Sequence, residues 1–254
     1  MKKFRYIFSV ILLAMSLMLS AQTTAETALE AYRSEDYKQS IELYERVVAQ
    51  GLSENRESAE IYYNLGNAYF RNGETAKAIL NYERALLLNP GDSDTRHNLR
   101  FARTRIEDKI DTSDSFFLTN WINGLQNAFN SNTWASAAIG LFLLFLACVA
   151  TFLFVRVLWL RKTAFYTGIV LLVLVIVANA FSFRQKDSRV HRNTAIVMAA
   201  SASIMNSPDA NSRELFRLHE GTKVKLNKTD GNWYEIEIAN GSVGWTSKEN
   251  IEII

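Results

Sequence analysis

The side chains that most often carry catalysis are few and scattered in this 254-residue sequence. Its three histidines, His97, His191 and His219, stand in three different segments, and its single cysteine, Cys148, lies within a long uncharged run. A metal site needs several such ligands together, and a nucleophilic thiol needs a neighbouring base. No GxxxxGK[ST], GxGxxG, HExxH or CxxC pattern occurs. The sequence therefore predicts no enzyme, cofactor or metal site, and it predicts that all three histidines lie at the surface.

Three arginines recur at a spacing that suits recognition of an anion. Arg33, Arg71 and Arg105 are 38 and 34 residues apart, and guanidinium groups bind carboxylates through paired hydrogen bonds. The hypothesis is a basic stripe that receives an acidic or C-terminal carboxylate segment of a protein partner; the alternative is three solvated arginines. A net charge of +2 argues against a nucleic-acid partner. Four further residues would line the same face: Asn67, Phe70, His97 and Phe101.

A helical repeat must position these arginines. Residues 59–92 read AEIYYNLGNAYFRNGETAKAILNYERALLLNPGD, with small residues where two helices would cross and Asn72-Gly73 as the turn between them. Pro90 stops the second helix. The segment resembles the 34-residue tetratricopeptide (TPR) repeat. Its signature positions are occupied by Tyr62, Leu65, Gly66, Tyr69, Ala78, Tyr82, Ala85 and Pro90.

The repeat pattern extends to both sides of this unit. Upstream, residues 35–51 match its second half at an offset of 38, while the helix expected near residues 25–33 matches only weakly. Downstream, residues 92–110 have helical spacing behind a capping Asp92. That helix would close the stack, because a repeat buries its face only against a neighbour. The prediction is a TPR domain with a capping helix over residues 22–112.

Two long stretches carry no Asp, Glu, Lys or Arg: residues 115–155 and 163–183. Each is long enough to cross a hydrocarbon core of about 30 Å, which predicts transmembrane helices at residues 134–160 and 163–183. The short basic loop between them forces an antiparallel hairpin. The alternative is a pair of core helices in a soluble domain.

The N-terminus has the layout of a signal peptide over residues 1–21. Basic residues precede an apolar run at residues 7–19, and small residues precede Gln22; the alternative is an uncleaved anchor helix. Export, together with the positive-inside rule, places the basic loop between the spans in the cytoplasm and both flanking domains outside. Four basic residues after the second span oppose this orientation: Arg184, Lys186, Arg189 and Arg192.

A linker over residues 113–133 precedes the first span. Phe117, Trp121, Leu125 and Phe129 recur every four residues, so a helix would align them on one stripe. Such a stripe suits a helix lying in the membrane interface. The alternative is an ordinary packed linker helix.

The last segment, residues 190–254, alternates like short strands, with Asp230-Gly231 and Asn240-Gly241 as hairpin turns. The order of strands and turns resembles bacterial SH3-like (SH3b) barrels. We expect Trp233, Ile236 and Val243 in the barrel core. Trp245 either borders a peptide-binding groove or has a structural role.

The predicted fold is multidomain: an α-helical TPR solenoid, two transmembrane helices and a small all-β SH3-like barrel. This order resembles the BatE-like aerotolerance-operon (Bat-type) proteins of bacteria. The resemblance implies an inner-membrane protein with periplasmic modules, a link to aerotolerance or envelope stress, and partners that are Bat proteins with von Willebrand A domains and a MoxR-type ATPase. The expected function is a non-catalytic scaffold. The alternatives are a peptidoglycan-binding accessory or activator of a wall hydrolase, and a signal-transducing sensor.

Overall fold

The structure, a computed structural model, describes residues 24–109 and 117–254. These residues divide into two compact units. One unit comprises residues 24–88, 92–109 and 193–254, and the other comprises residues 89–91 and 117–192. The predicted signal peptide, residues 1–21, lies outside the described residues.

The first unit begins with helices that follow the repeat pattern. Polar side chains cap three of them: Asp36, Ser58 and Asp92 each accept a hydrogen bond from the backbone N–H three residues further on, which satisfies a helix donor that has no partner within the helix. The helices are α1 over residues 24–33, α2 Tyr37–Ser53, α3 Ala59–Arg71, α4 Thr75–Leu88 and α5 Ser93–Arg103.

Helices α3 and α4 cross at Gly66, against the ring of Tyr82. A Cβ atom at Gly66 would lie 2.7 Å from two Tyr82 ring carbons and 3.3 Å from the Ala78 carbonyl oxygen, so glycine permits this approach. Tyr44, Tyr62 and Tyr82 fill the core and are at most 2% exposed. This helical TPR-like fold confirms the sequence prediction.

Seven strands in the described C-terminal residues form one sheet in the order β3-β2-β6-β5-β4-β1-β7, and all the paired strands are antiparallel. Gly231 and Gly241 have positive φ values of 52° and 87° in the turns that the sequence predicts. The all-β class is therefore confirmed. The strands are β1 Thr194–Val197, β2 Ser201–Met205, β3 Glu214–His219, β4 Lys223–Asp230, β5 Trp233–Glu237, β6 Val243–Ser247 and β7 Ile251–Ile253.

The core of the sheet differs from the expectation at one position. Ile236 is fully buried and Trp233 is partly buried, but Val243 is 43% exposed. The reason is the alternation of β6, in which Gly244 and Thr246 are buried, so that Val243 points to the other face. The prediction of Val243 as a core residue is wrong.

The second unit contains α6 Phe117–Gln126, α7 Ser131–Phe154 and α8 Leu158–Val190. Helices α7 and α8 are long and apolar enough to cross a membrane, by length and composition. Because α8 begins at Leu158, Arg161 and Lys162 lie in its first turns rather than in a loop. Helix α8 also extends beyond the uncharged stretch at both ends.

Side chains tie the end of α6 to α7 and α8. The Gln185 amide donates hydrogen bonds to the carbonyl oxygens of Gln126 (2.6 Å) and Phe129 (2.9 Å), and the Trp134 indole N–H also donates to Gln126 (2.9 Å). Trp121 on α6 is 67% exposed. Phe129 lies beyond the end of α6 and contacts Trp134 edge-on. It therefore does not belong to the helical stripe that was predicted to run from Phe117 to Phe129.

Candidate protein-binding groove

An asparagine amide joins three helices of the repeat domain. The Asn67 Oδ1 atom on α3 accepts hydrogen bonds from the Tyr82 hydroxyl of α4 (2.8 Å) and from the Asn98 side chain of α5 (2.9 Å). The Asn98 amide also lies 3.3 Å from the Tyr63 hydroxyl. The Asn67 oxygen is therefore engaged, and its NH₂ group is the donor that the described residues do not use.

Two phenylalanines and an arginine form a cluster beside this amide. The Phe70 and Phe101 rings lie 5.6 Å apart, and the Arg105 guanidinium carbon lies 4.6 Å and 5.3 Å from their centroids. Phe101 is 52% exposed. Contact with aromatic faces positions a cation without neutralising its charge. Arg105 lies two residues after the end of α5. It is therefore not within a helix, unlike Arg71, which is the last residue of α3.

A second arginine stands on another aromatic pair. Arg71, the last residue of α3, donates a hydrogen bond of 2.7 Å to the Tyr37 hydroxyl, and its guanidinium carbon lies 5.2 Å from the Tyr37 ring centroid. The Tyr32 ring meets Tyr37 edge-on at 5.5 Å. The hydrogen bond to Tyr37 raises the pKa of Arg71, so this group stays cationic.

The groove is the face predicted to carry Arg33, Asn67, Phe70, Arg71, His97, Phe101 and Arg105, and the structure brings only some of these residues together. Phe70, Phe101 and Arg105 touch one another, whereas Arg71 belongs to the Tyr37 cluster. Arg33 ends α1 as Arg71 ends α3, and it is exposed. His97 is exposed on α5. Within the described residues, none of the three arginines forms a salt bridge.

Sequence reasoning missed the polar and aromatic partners of these residues. Tyr32, Tyr37, Tyr63 and Asn98 all contribute to the groove. One signal was available for Asn98, which precedes Phe101 by three residues and therefore shares its helix face. The Tyr37 contact had no such signal, because it joins the start of α2 to the end of α3.

On the barrel, the predicted ligand contact Trp245 is partly exposed on β6. It pairs with Met205 on β2 and with Glu235 on β5. Val243, two residues earlier, shares its face of the sheet and is 43% exposed. Trp245 and Val243 therefore lie on the same face of β6, opposite Glu235 and Glu237 of β5.

The barrel packs against α4 and the segment after α5. Lys223 Nζ lies 2.7 Å from Glu83 Oε2. The Arg84 guanidinium donates to the Glu252 carboxylate and to the Ile253 carbonyl oxygen, each at 2.8 Å. The apolar part of this contact joins Ile196 and Ile254 of the barrel to the repeat core.

His219 also belongs to this contact, and its side chain is 28% exposed. Its backbone N–H donates to Asp108 Oδ2 at 2.7 Å, and its Nδ1 lies 2.8 Å from Oδ1. The Thr222 hydroxyl donates to Oδ2 at 2.7 Å. Burial opposes ionisation of Asp108, but these hydrogen bonds outweigh it and lower its pKa. The hydrogen bond to Asp108 raises the pKa of His219.

Comparisons with known proteins match one segment in the repeat domain and one in the barrel. The tetratricopeptide repeat family model matches residues 59–92, and the bacterial SH3 domain model matches residues 206–252. No curated protein matches the chain significantly. Among solved structures, the crystal structure of the Sgt2 TPR domain from Aspergillus fumigatus is 14% identical, with a TM-score of 0.30, over 67% of this chain and 82% of that one. The two matched families are typically binding domains, with roles in protein interaction or wall binding.

Proposed function

We propose that the chain is a non-catalytic, membrane-anchored adaptor whose groove binds an acidic segment of a protein partner. The observation that supports this most directly is the position of Arg105, held over Phe70 and Phe101 without a carboxylate partner among the described residues. The Arg105 guanidinium in this position has N–H groups that can donate hydrogen bonds to a carboxylate of the partner. The exposed Phe101 ring supplies apolar contact for the segment that carries it.

The other groove residues extend the same recognition. The unused NH₂ of Asn67 is a donor for a peptide carbonyl, and Arg71 on Tyr37 presents a second charge. Charge complementarity of this kind accelerates association and selects against basic partners. Arg71, Phe101 and Arg105 remain exposed although the barrel docks on α4 and on the segment after α5.

The finer proposal concerns place and partners. Signal peptide, TPR domain, apolar hairpin and SH3-like barrel follow the order of BatE-like proteins, which supports an inner-membrane protein with both soluble modules in the periplasm. Its partners would then be Bat-type proteins with von Willebrand A domains and a MoxR-type ATPase, in a complex linked to aerotolerance or envelope stress. A reporter fused after Ile254 tests the orientation, and a cytoplasmic signal would contradict it.

A peptide titration tests the groove. The full chain in detergent is titrated against a fluorescein-labelled hexapeptide of Asp and Glu with a free C-terminal carboxylate, and anisotropy is recorded. We expect the triple variant Arg33→Glu/Arg71→Glu/Arg105→Glu to bind at least about tenfold more weakly, a loss of about 1.4 kcal/mol or more. Unchanged affinity would contradict the proposal.

A matched control separates groove recognition from net charge. The variant Lys38→Glu/Arg46→Glu/Arg100→Glu makes the same change in charge at exposed positions outside the groove contacts. It should retain affinity apart from a small screening effect. Equal loss in both triple variants would show that only long-range charge attracts the peptide.

The alternative function is peptidoglycan binding through the barrel, favoured by the SH3 match and by the partly exposed Trp245 on the same face as the exposed Val243. Crosslinking in native membranes distinguishes the two functions. Recovery of peptidoglycan fragments without any protein, together with loss of that recovery in Trp245→Ala, would support wall binding instead of the adaptor.

A further inference from the structure

Helix α6 buries polar side chains and exposes apolar ones. Trp121, Ile122 and Leu125 are 67%, 40% and 41% exposed, whereas Gln126 is 9% exposed and Asn123 is partly buried. Asn123 and Gln126 are three positions apart and share one face of the helix. A surface helix of a water-soluble domain has the opposite arrangement, with its apolar stripe on the core. The outward side of α6 therefore suits apolar surroundings better than water.

The backbone at the end of α6 suits apolar surroundings as well. The last carbonyl groups of a helix have no partner within it, and the hydrocarbon of a bilayer supplies no donors for them. Here the Gln185 amide donates to the carbonyl oxygens of Gln126 and Phe129, at 2.6 Å and 2.9 Å. The Trp134 indole N–H also donates to the Gln126 oxygen, at 2.9 Å. Side chains of the hairpin thus satisfy acceptors that would otherwise need water.

The exposed face of α6 belongs to the same uncharged run as the first candidate span. Residues 115–155 contain no Asp, Glu, Lys or Arg, and α7 exposes large apolar side chains, among them Ile139 (65%) and Leu143 (61%). Trp134, in the first turn of α7, holds the end of α6, and tryptophan is enriched where a span meets the lipid headgroups. Where α7 enters a bilayer, α6 is therefore held beside the headgroups.

We propose that α6 lies in the lipid interface, with Trp121, Ile122 and Leu125 among the acyl chains of the leaflet in which α7 begins. The proposal rests on the membrane-anchored part of the proposed function, and it adds a lipid-binding surface to the two spans. Interfacial helices usually keep a charged face toward water. Helix α6 needs no charged face, because Asn123 and Gln126 are partly or fully buried in the protein.

Spin-label accessibility tests the proposal on the full chain in liposomes of phosphatidylethanolamine and phosphatidylglycerol. In a Cys148→Ser background, a nitroxide label is attached at Ile122→Cys or at Leu125→Cys. Leu143→Cys on α7 is the control for lipid, and Lys228→Cys on the barrel, where the side chain is 70% exposed, is the control for water. Oxygen concentrates in hydrocarbon, whereas a polar nickel complex stays in water. The ratio of oxygen to nickel collision rates should be severalfold higher at positions 122 and 125 than at position 228.

Two results would overturn the proposal. A ratio at positions 122 and 125 that equals the ratio at position 228 would show that α6 lies in water. Low collision rates for both reagents would show that a protein partner or a second copy of the chain covers this face instead of lipid.

A charge on the exposed face of α6 gives an independent check. Trp121→Glu, measured with the label at Leu125→Cys, should raise the nickel collision rate severalfold, because a carboxylate is costly among acyl chains. Ser188→Glu adds the same charge at an exposed position near the end of α8 and should leave the rate unchanged. An unchanged rate in Trp121→Glu would contradict insertion of this face.

The inference and the membrane anchor fail in different ways. If the label at Leu125→Cys is in water while the label at Leu143→Cys is in lipid, only the placement of α6 is wrong and the membrane anchor stands. If the label at Leu143→Cys is also in water, the membrane-anchored function itself is wrong.

Discussion

Both carboxylate oxygens of Asp108 contact His219. Oδ2 accepts a hydrogen bond of 2.7 Å from the backbone N–H, and Oδ1 lies 2.8 Å from the ring Nδ1. These residues are 111 positions apart in the chain and belong to the helical repeats and the barrel. The Thr222 hydroxyl adds a third hydrogen bond. This carboxylate is therefore a main polar connection between the two modules.

Replacing Asp108 by Ala should loosen the barrel from the repeats. Three donors would lose a charged acceptor that is only 14% exposed, and hydrogen bonds to charged groups are each worth about 1.5–3 kcal/mol. We expect a stability loss of at least about 2 kcal/mol in denaturant unfolding, with faster amide exchange at His219. Glu107→Gln is the control, since that side chain is 73% exposed. Equal effects of the two variants would contradict the assignment.

The same contact should depend on pH. Asp108 raises the pKa of His219 above its ordinary value of 6.5, with Glu107 acting in the same direction and Arg217 opposing it. The stabilisation is then complete below about pH 6.5 and is lost as the pH rises through the raised pKa. At low pH the contact persists until the pH falls through the lowered pKa of Asp108, because Asp108 is ionised above that pKa.

NMR titration of the His219 ring checks this prediction. The midpoint should lie above 6.5 in the wild-type chain, and it should fall in Asp108→Asn, which keeps the shape of the side chain without its charge. A wild-type midpoint at or below the ordinary value would contradict the proposed charge pairing.

Local patterns allowed much of the helical fold to be predicted from sequence. Gly66, Ala78 and Tyr82 obey short-range spacing, and the crossing they predict is present. The prediction that Val243 lies in the barrel core was wrong, because alternation along a strand does not reveal which of its two faces is buried. Which face a strand buries depends on what packs against the sheet, and here Val243 lies opposite Glu237 on the face away from the core.

The docking of the barrel on the repeats lay beyond sequence reasoning for a different reason. His219 has nothing in its own segment that predicts Asp108, and the contact exists because two modules meet.

Gly66→Ala should destabilise the repeat domain. The added Cβ would lie 2.7 Å from the Tyr82 ring, and overpacking of this kind costs about 1–3 kcal/mol. The helix-propensity gain of alanine, about 1 kcal/mol, offsets part of the cost. We expect a net loss of up to about 2 kcal/mol in urea unfolding. Gly124→Ala has no described atom within 4 Å and should cause no loss.

A pair of glycines isolates the apolar contact between repeats and barrel. Gly221 and Gly241 both have φ of 87°, so alanine suffers the same backbone strain at either position, about 1–2 kcal/mol. Their surroundings differ. A Cβ at Gly221 would lie 2.5 Å from Ile106 and 3.2 Å from Ile79, whereas one at Gly241 would meet nothing within 4 Å.

Gly221→Ala should therefore cost more than Gly241→Ala by the overpacking term, about 1–3 kcal/mol. The additional loss of stability in Gly221→Ala arises because Ile106 and Ile79 must move to make room for the methyl group. This additional loss would be absent if the barrel did not pack on the repeats. Denaturant unfolding of both variants measures the difference. Adding Ile106→Ala, which makes room for the new methyl group, should recover part of the Gly221→Ala loss and none of the Gly241→Ala loss. Equal costs for the two glycine variants would show that the barrel does not rest on Ile106 in solution.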